Sequence, residues 1–258
     1  MGFYDLSKEE RARLVSRIES EIVKDLKEGS SDAIQTLFSD EDTYVRKAAY
    51  QAIGKIEKDE HLDKSEIVSL LNTLMKSDSE KIRQTTVNAA GELGKTDFKV
   101  VEHLFDLGLF DEHHSVRNAV IGSIKKMGQK NHEPVLEWAK KYLDHPDKEV
   151  RREICHGIEL RGRTHPEDIL PLLRQLQHDP TARVRNTLIH VLGQISYKKG
   201  CLRKVVGALL TWENEELVKK ALDEIVDVHR RYKNFAVLTQ DQAIELIDEI
   251  FLHKKTSQ

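Results

Sequence analysis

"DKEVRREICHGIELRG", residues 147–162, opens with an Asp-Lys-Glu turn and runs into an apolar face at Val150, Ile154 and Ile158. That spacing of four is one side of an α-helix. The same pattern recurs along the chain. "DTYVRKAAYQAIGKI" (42–56), "SEKIRQTTVNAAGELG" (79–94), "HHSVRNAVIGSIKKMG" (113–128) and "TARVRNTLIHVLGQIS" (181–196) all place an apolar residue before an arginine. "EELVKKALDEIVDVH" (215–229) has lysine instead. The basic residues are Arg46, Arg83, Arg117, Arg151, Arg185 and Lys219, separated first by 37 residues and then four times by 34. A fixed period in this range marks stacked supersecondary units, none of which buries its apolar face alone.

Each repeat has the same parts. An apolar helix such as "SEIVSLLNTLMK" (65–76) or "PEDILPLLRQLQ" (166–177) comes first. A turn follows, with Asp40, Asp111, Asp179 or Glu213 six residues before the basic position. The second helix carries the core motif, and Gly94, Gly128 and Gly162 stand eleven residues after their arginines. Glycine just past a helix end is expected to take a positive φ. The repeat is therefore an antiparallel helix pair.

These residues resemble the HEAT repeat: Asp in the turn, Val-Arg opening the second helix, Gly near its end. The resemblance covers about residues 31–235 and implies an all-α, right-handed solenoid of about six repeats. It also implies a ladder in which turn aspartates and arginines join adjacent repeats. The Trp-Leu-Gly-Tyr pattern of the equally long tetratricopeptide repeat is missing. Residues 1–30 and 236–258 are expected to cap a single domain spanning 1–258. Capping boxes are expected at Ser7–Glu10 and Thr239–Gln242.

Composition agrees with this class. Charged residues are 33%, hydrophobic residues 39% and aromatic residues 6%, and the net charge is −3. That describes a foldable helical protein and excludes a globally basic nucleic-acid binder. No apolar run suits a signal peptide or a membrane span, so no membrane partner is expected. Cys155 and Cys201 make no disulfide framework and point to a cytoplasmic location.

Counting from the basic position sorts each second helix into columns. Three and seven residues on, Ala49, Thr86, Val120, Ile154, Leu188, Leu222 and Ile53, Ala90, Ile124, Ile158, Leu192, Val226 are expected to be buried. One and five residues on, the columns are polar. By the HEAT resemblance, that face is the floor of a concave groove. Its richest cluster is Arg152, His156, Glu159 and Arg163, joined by Asn118 from the preceding repeat and by Asn186, His190 and Tyr197 from the next. These eight are the candidate partner-binding residues.

A metal could use His156, His190 and Glu159, since imidazoles and a carboxylate suit zinc or iron. Against this, no second histidine stands at i+4, and stacked helices lie about 10 Å apart. No metal and no cofactor are therefore expected. HEAT-repeat iron hydroxylases carry paired His-Glu dipeptides, whereas the one here, His132–Glu133, reads as loop. A Cys155–His156 nucleophile is disfavoured because neighbours on a helix point about 100° apart. No catalytic residue is assigned.

The loops after the second helices are basic, with Lys55, Lys58, Lys95, Lys125, Lys126, Arg161, Lys198 and Lys199 among them. They form a candidate basic edge. Helix-end electrostatics alone favours cations there, but such a row also suits a phosphate backbone. Residues from Glu137 to Gln194 also resemble, more weakly, the HEAT-like DNA alkylation-repair proteins. Arg152 falls where those enzymes carry a DNA-contacting arginine. In the same alignment Asn118 and Gly122 replace an aromatic residue and the catalytic aspartate, and His190 replaces another aromatic. Trp138 and Trp212 fall in first helices or turns, where packing is expected. The expected function is a non-enzymatic scaffold that binds a protein partner through the groove and the basic edge. The alternative is DNA or RNA binding related to alkylation repair, including glycosylase activity.

Overall fold

The computed structural model describes residues 2–56 and 63–256. Lys58 lies outside them. The described residues form helices joined by short turns, and they include no strand. A cap, α1 (Lys8–Glu28), is followed by first and second helices in alternation. These are α2 (Asp32–Ser39) and α3 (Thr43–Ile56), then α4 (Lys64–Leu74) and α5 (Glu80–Gly94), then α6 (Glu102–Leu109) and α7 (His114–Lys130). The fourth repeat has α8 (His132–Lys140), α9 (Lys148–Gly157) and α10 (Glu159–Gly162). The fifth has α11 (Pro166–Arg174) and α12 (Ala182–Gln194), and the sixth α13 (Cys201–Leu209) and α14 (Glu215–Arg231). The last helix is α15 (Gln240–Thr256). This is an all-α solenoid architecture, divided into two compact units, Met1–Pro134 and Val135–Gln258.

Both expected capping boxes are present. Ser7 Oγ accepts from the Glu10 N–H at 3.2 Å, and Glu10 Oε2 accepts from the Ser7 N–H at 2.8 Å. Thr239 and Gln242 exchange the same two bonds at 3.0 and 3.2 Å. His132–Glu133 departs from its reading as loop, because it opens α8.

The two apolar columns are buried in the first five repeats, and only Leu222 and Val226 of the last are half-exposed. None of the side chains in the polar columns is buried. Helical periodicity alone sets this division: within each pair, one face of the second helix closes the core and the opposite face meets water.

The repeated arginines act as clamps. The carbonyls that follow a first helix have no helical partner and need donors. Arg46 Nη1 donates to the Asp40 and Glu41 carbonyls at 2.5 and 3.2 Å. Arg83, Arg117 and Arg151 repeat this on Ser77–Asp78, Asp111–Glu112 and His145–Pro146. Arg185 donates likewise to the Asp179 carbonyl. Two of these arginines also reach the next repeat. Arg83 pairs with Asp111 through Nε at 2.7 Å, and Arg151 pairs with Asp179 at 2.6 Å. In the sequence the position matching Asp111 and Asp179 is Ser77 for Arg46 and His145 for Arg117, which supply no acid, and Glu213 for Arg185, where the carboxylate pairs with Arg174 instead.

The glycines near the helix ends have a different role from the one expected. Among the described residues, positive φ occurs only at Gly29 (65°) and Gly200 (76°). Gly94 and Gly162 are the last residues of α5 and α10. A Cβ on Gly94 would lie 2.3 Å from Met127 Sδ, and one on Gly162 would lie 2.2 Å from Ile169 Cδ1. They are small because the neighbouring side chains press against them, not because the backbone turns left-handed.

Candidate functional site in the second unit

The motif of residues 147–162 folds as expected as far as Gly157, then departs. The second helix of the fourth repeat breaks at Ile158 (φ −85°, ψ −6°) into α9 and α10. Gly157 precedes the break, and glycine is a weak helix former. Glu159 follows it.

Glu159 was expected to line an open groove. Its side chain is instead only 2% exposed. The reason lies in the column eight residues on from the basic position. That column contains Gly54, Gly91 and Gly193, with half-exposed Lys125 and Asp227 in the third and sixth repeats. Hypothetical Cβ atoms on the three glycines would lie 2.6 Å from Glu92 Cβ, 2.5 Å from Ser123 Oγ and 2.7 Å from Glu224 Cγ. Each contact is with the second helix of the following repeat. Glu159 occupies this crowded position with a carboxylate, which burial obliges to find partners. Arg163 Nη2 donates to its Oε1 at 2.5 Å, and His156 Nδ1 lies 3.2 Å from its Oε2. Arg163 also donates to Gln194 Oε1 at 3.1 Å.

Across from α9, α12 presents Asn186 and His190. The His156 and His190 rings stack at 6.1 Å with 27° between their planes. One ligand atom from each of His156, Glu159 and His190 lies within 4.8 Å of the others. The helix spacing that argued against a metal therefore does not separate these atoms, because the side chains reach toward one another across the gap. A shallow recess of about 430 Å³ above them is lined by Arg152, His156, Arg183, Asn186, Thr187 and His190.

Charge around the recess is balanced. Arg152 pairs with Glu149 at 2.9 Å and Glu153 at 3.3 Å, and Arg183 reaches Glu149 at 3.0 Å. Glu224 Oε1 lies 3.8 Å from His190 Nδ1 and accepts from Arg231 at 2.6 Å. Cys155 is fully buried. Burial first, then the nearby Glu159 charge, pushes its thiol far above the ordinary range. The Arg152 charge opposes this. A thiol so held is no nucleophile at neutral pH.

The remaining candidates are dispersed. Asn118 is exposed on α7 in the first unit. Tyr197 lies past the end of α12, only 5% exposed, with its ring stacked on Tyr232 at 5.5 Å. It belongs to the core of the second unit, since the helix ends before the polar face reaches it. Trp138 and Trp212 are buried, as packing residues.

Of the basic residues expected in loops, Lys55, Lys125, Lys126 and Arg161 lie within α3, α7 and α10, and several are neutralised. Lys55 pairs with Glu19 at 3.1 Å, Lys95 with Glu92, and Arg161 with Asp168 at 2.6 Å. Lys125 is half-exposed. Lys126 lies over the Tyr50 ring at 5.4 Å, and Lys198 over the Tyr197 ring at 4.9 Å. Lys199 is exposed. No helix among the described residues is long and apolar enough to cross a membrane.

Comparison with known proteins follows the architecture. The crystal structure of AlkD2 from Streptococcus mutans superposes with a TM-score of 0.51 at 18% identity, covering 88% of this chain and 99% of that one. The alkylpurine DNA glycosylase AlkC of Pseudomonas fluorescens, bound to DNA containing an abasic site analog, gives a TM-score of 0.48 at 14% identity. That match covers 83% of this chain and 62% of that one. These likenesses concern the fold. No curated protein sequence matches the chain. A family model described as non-SMC mitotic condensation complex subunit 1 matches residues 11–145, and a model of HEAT repeats matches residues 133–224. The first alone spans more than half of the chain, both describe HEAT-like repeats, and the chain belongs to the HEAT-repeat family.

Proposed function

We propose that this protein is a non-enzymatic scaffold that holds a protein partner on the polar face of its second helices. The observation that carries this reading is the charge mosaic around the recess. Arg152, Arg163, Arg183 and Arg231 each have a carboxylate within ion-pair distance. A surface of alternating, mutually paired charges complements another mosaic, and such complementarity selects a partner. A polyanion such as DNA would have to compete with every one of those carboxylates. Gly122, aligned with the catalytic aspartate of the alkylation-repair enzymes, supplies no carboxylate and faces open space, with nothing within 4 Å of a Cβ built there.

The alternative is nucleic-acid binding. Exposed Lys199 and half-exposed Lys198, next to each other on one loop of the second unit, favour it. The discriminating experiment is affinity capture from nuclease-treated native lysate with wild-type protein and with Thr187→Trp, which fills the recess. The scaffold reading expects one protein captured by the wild type, retained after nuclease and lost with the variant. Capture that disappears after nuclease would overturn it.

A further inference from the structure

We infer that His156, Glu159 and His190 form a binding site for a zinc-class divalent cation. The three come from α9, the start of α10 and α12, and their ligand atoms already converge within 4.8 Å. Around a tetrahedral zinc with bonds of about 2.1 Å, donor atoms stand about 3.4 Å apart. The His156 Nδ1 to Glu159 Oε2 distance of 3.2 Å meets that requirement. His190 has to approach by at most about 1.4 Å to meet the same tetrahedral spacing. Its side chain is 44% exposed and that of His156 37%, so rotation is open to both.

Glu159 is the fixed element of the site. Its burial leaves it little freedom, and Arg163 holds Oε1, which directs Oε2 to the two imidazoles. Gln194 holds Arg163 in turn, and it stands one helical turn after His190 on α12. A carboxylate ligand oriented by hydrogen bonds from a further layer of side chains is how protein metal sites are supported. The donor set decides the class of ion. Two imidazoles and one carboxylate suit zinc and its transition-metal neighbours, whereas magnesium and calcium require mostly oxygen. Three protein ligands leave a position open to the recess. Arg152 and Arg183 line that recess but are already paired with Glu149 and Glu153, so the simplest fourth ligand is water or hydroxide.

The test uses full-length protein without a histidine tag, stripped with chelator. Zinc is titrated calorimetrically, and cobalt(II) is added as a spectroscopic probe of imidazole ligation. The expected result is one zinc per chain and visible cobalt absorption with the intensity of a four- or five-coordinate centre. His156→Ala and His190→Ala should each weaken zinc binding by at least about 100-fold, because each removes a direct ligand, where loss of a merely orienting side chain costs about 10–100-fold. His190→Ala should leave the melting temperature of the metal-free protein unchanged, since that ring is half-exposed, whereas His156→Ala also removes a partner of buried Glu159 and should lower it. Glu159→Gln is less informative because it leaves Arg163 without its carboxylate, so the histidine variants carry the test. Absence of stoichiometric zinc binding overturns the proposal. So does binding that survives both histidine substitutions undiminished, which would place the ion elsewhere.

Discussion

Arg151 grips both carboxylate oxygens of Asp179 in the following repeat, Nε to Oδ2 at 2.6 Å and Nη2 to Oδ1 at 3.1 Å. Both side chains are nearly inaccessible to water, and the same guanidinium ties down the His145 and Pro146 carbonyls. Removing one partner of a buried pair strands the other charge, at a cost of about 3–5 kcal/mol. Asp179→Ala should therefore destabilise the protein by about that amount in urea titration. Arg117→Ala removes carbonyl hydrogen bonds only and should cost less, about 1–3 kcal/mol. Equal losses from the two would contradict the role assigned to the rung.

Acid should act in two stages. Burial lowers the His229 pKa, and the hydrogen bond to the Ile225 carbonyl only partly offsets it. The unfolded chain then takes up the proton first, so stability should fall as pH drops below about 6.5. Asp111 and Asp179 act in the same sense, at lower pH. Burial would raise both, but Arg83 and Arg151, with backbone N–H groups, hold them below the ordinary range. Their contribution is intact above about pH 3.9 and is lost only as pH falls through the lower folded-state values. Thermal melting from pH 7 to 3 should show both stages, and His229→Leu should abolish the first alone.

Two glycine-to-alanine substitutions should differ in sign. At Gly162 the new methyl group would lie 2.2 Å from Ile169 Cδ1 and 2.8 Å from Ile195 Cγ2, so overpacking should cost about 1–3 kcal/mol. At Gly122, inside α7, nothing lies within 4 Å, and alanine should stabilise by about 0.5–1 kcal/mol through helix propensity. Stabilisation at both sites would show that the Gly162 contact is soft.

Nucleic-acid binding should be weak. Each neutralised phosphate adds about 0.9 to the slope of log K against log salt on duplex DNA. Fluorescence anisotropy at low salt should give a shallow slope, reduced further by replacing Lys198 and Lys199 with Glu and unaffected by replacing Lys148. Release of 3-methyladenine or 7-methylguanine is not expected. Detectable excision would reject the scaffold reading and make Glu159 the first carboxylate to mutate.

The fold was legible because a spacing of 37 and then four times 34 residues brings the same side chains to the same face six times over. Ile154 and Ile158 needed no structure to be assigned to the core. Glu159 did. Its place on a polar stripe with Arg152, His156 and Arg163 suggested equal exposure, but the stripe is uneven, with Glu159 2% exposed beside His156 at 37% and Arg163 at 31%. A partial signal was present in Gly54, Gly91 and Gly193, which mark that register position as crowded in three repeats, although Lys125 and Asp227 stand there in two others. Tyr197 shows a different limit. Helical spacing placed it beside Asn186 and His190, but α12 ends at Gln194, and periodicity does not extend past a helix end.

The joints between repeats are chemically individual. Arg83 meets Asp111 and Arg151 meets Asp179, whereas the fifth and sixth repeats are joined through buried Gln177, whose Oε1 accepts from the Glu213 and Asn214 N–H groups. Uniform period thus conceals non-exchangeable modules. Excising 34 residues to remove the third repeat would bring His145 into the register of Asp111 and leave Arg83 without its carboxylate. Such a deletion would therefore cost more at the Arg83 joint than at joints such as that of Arg46, whose arginine is held by carbonyls alone, even though any single repeat looks like a copy of the next.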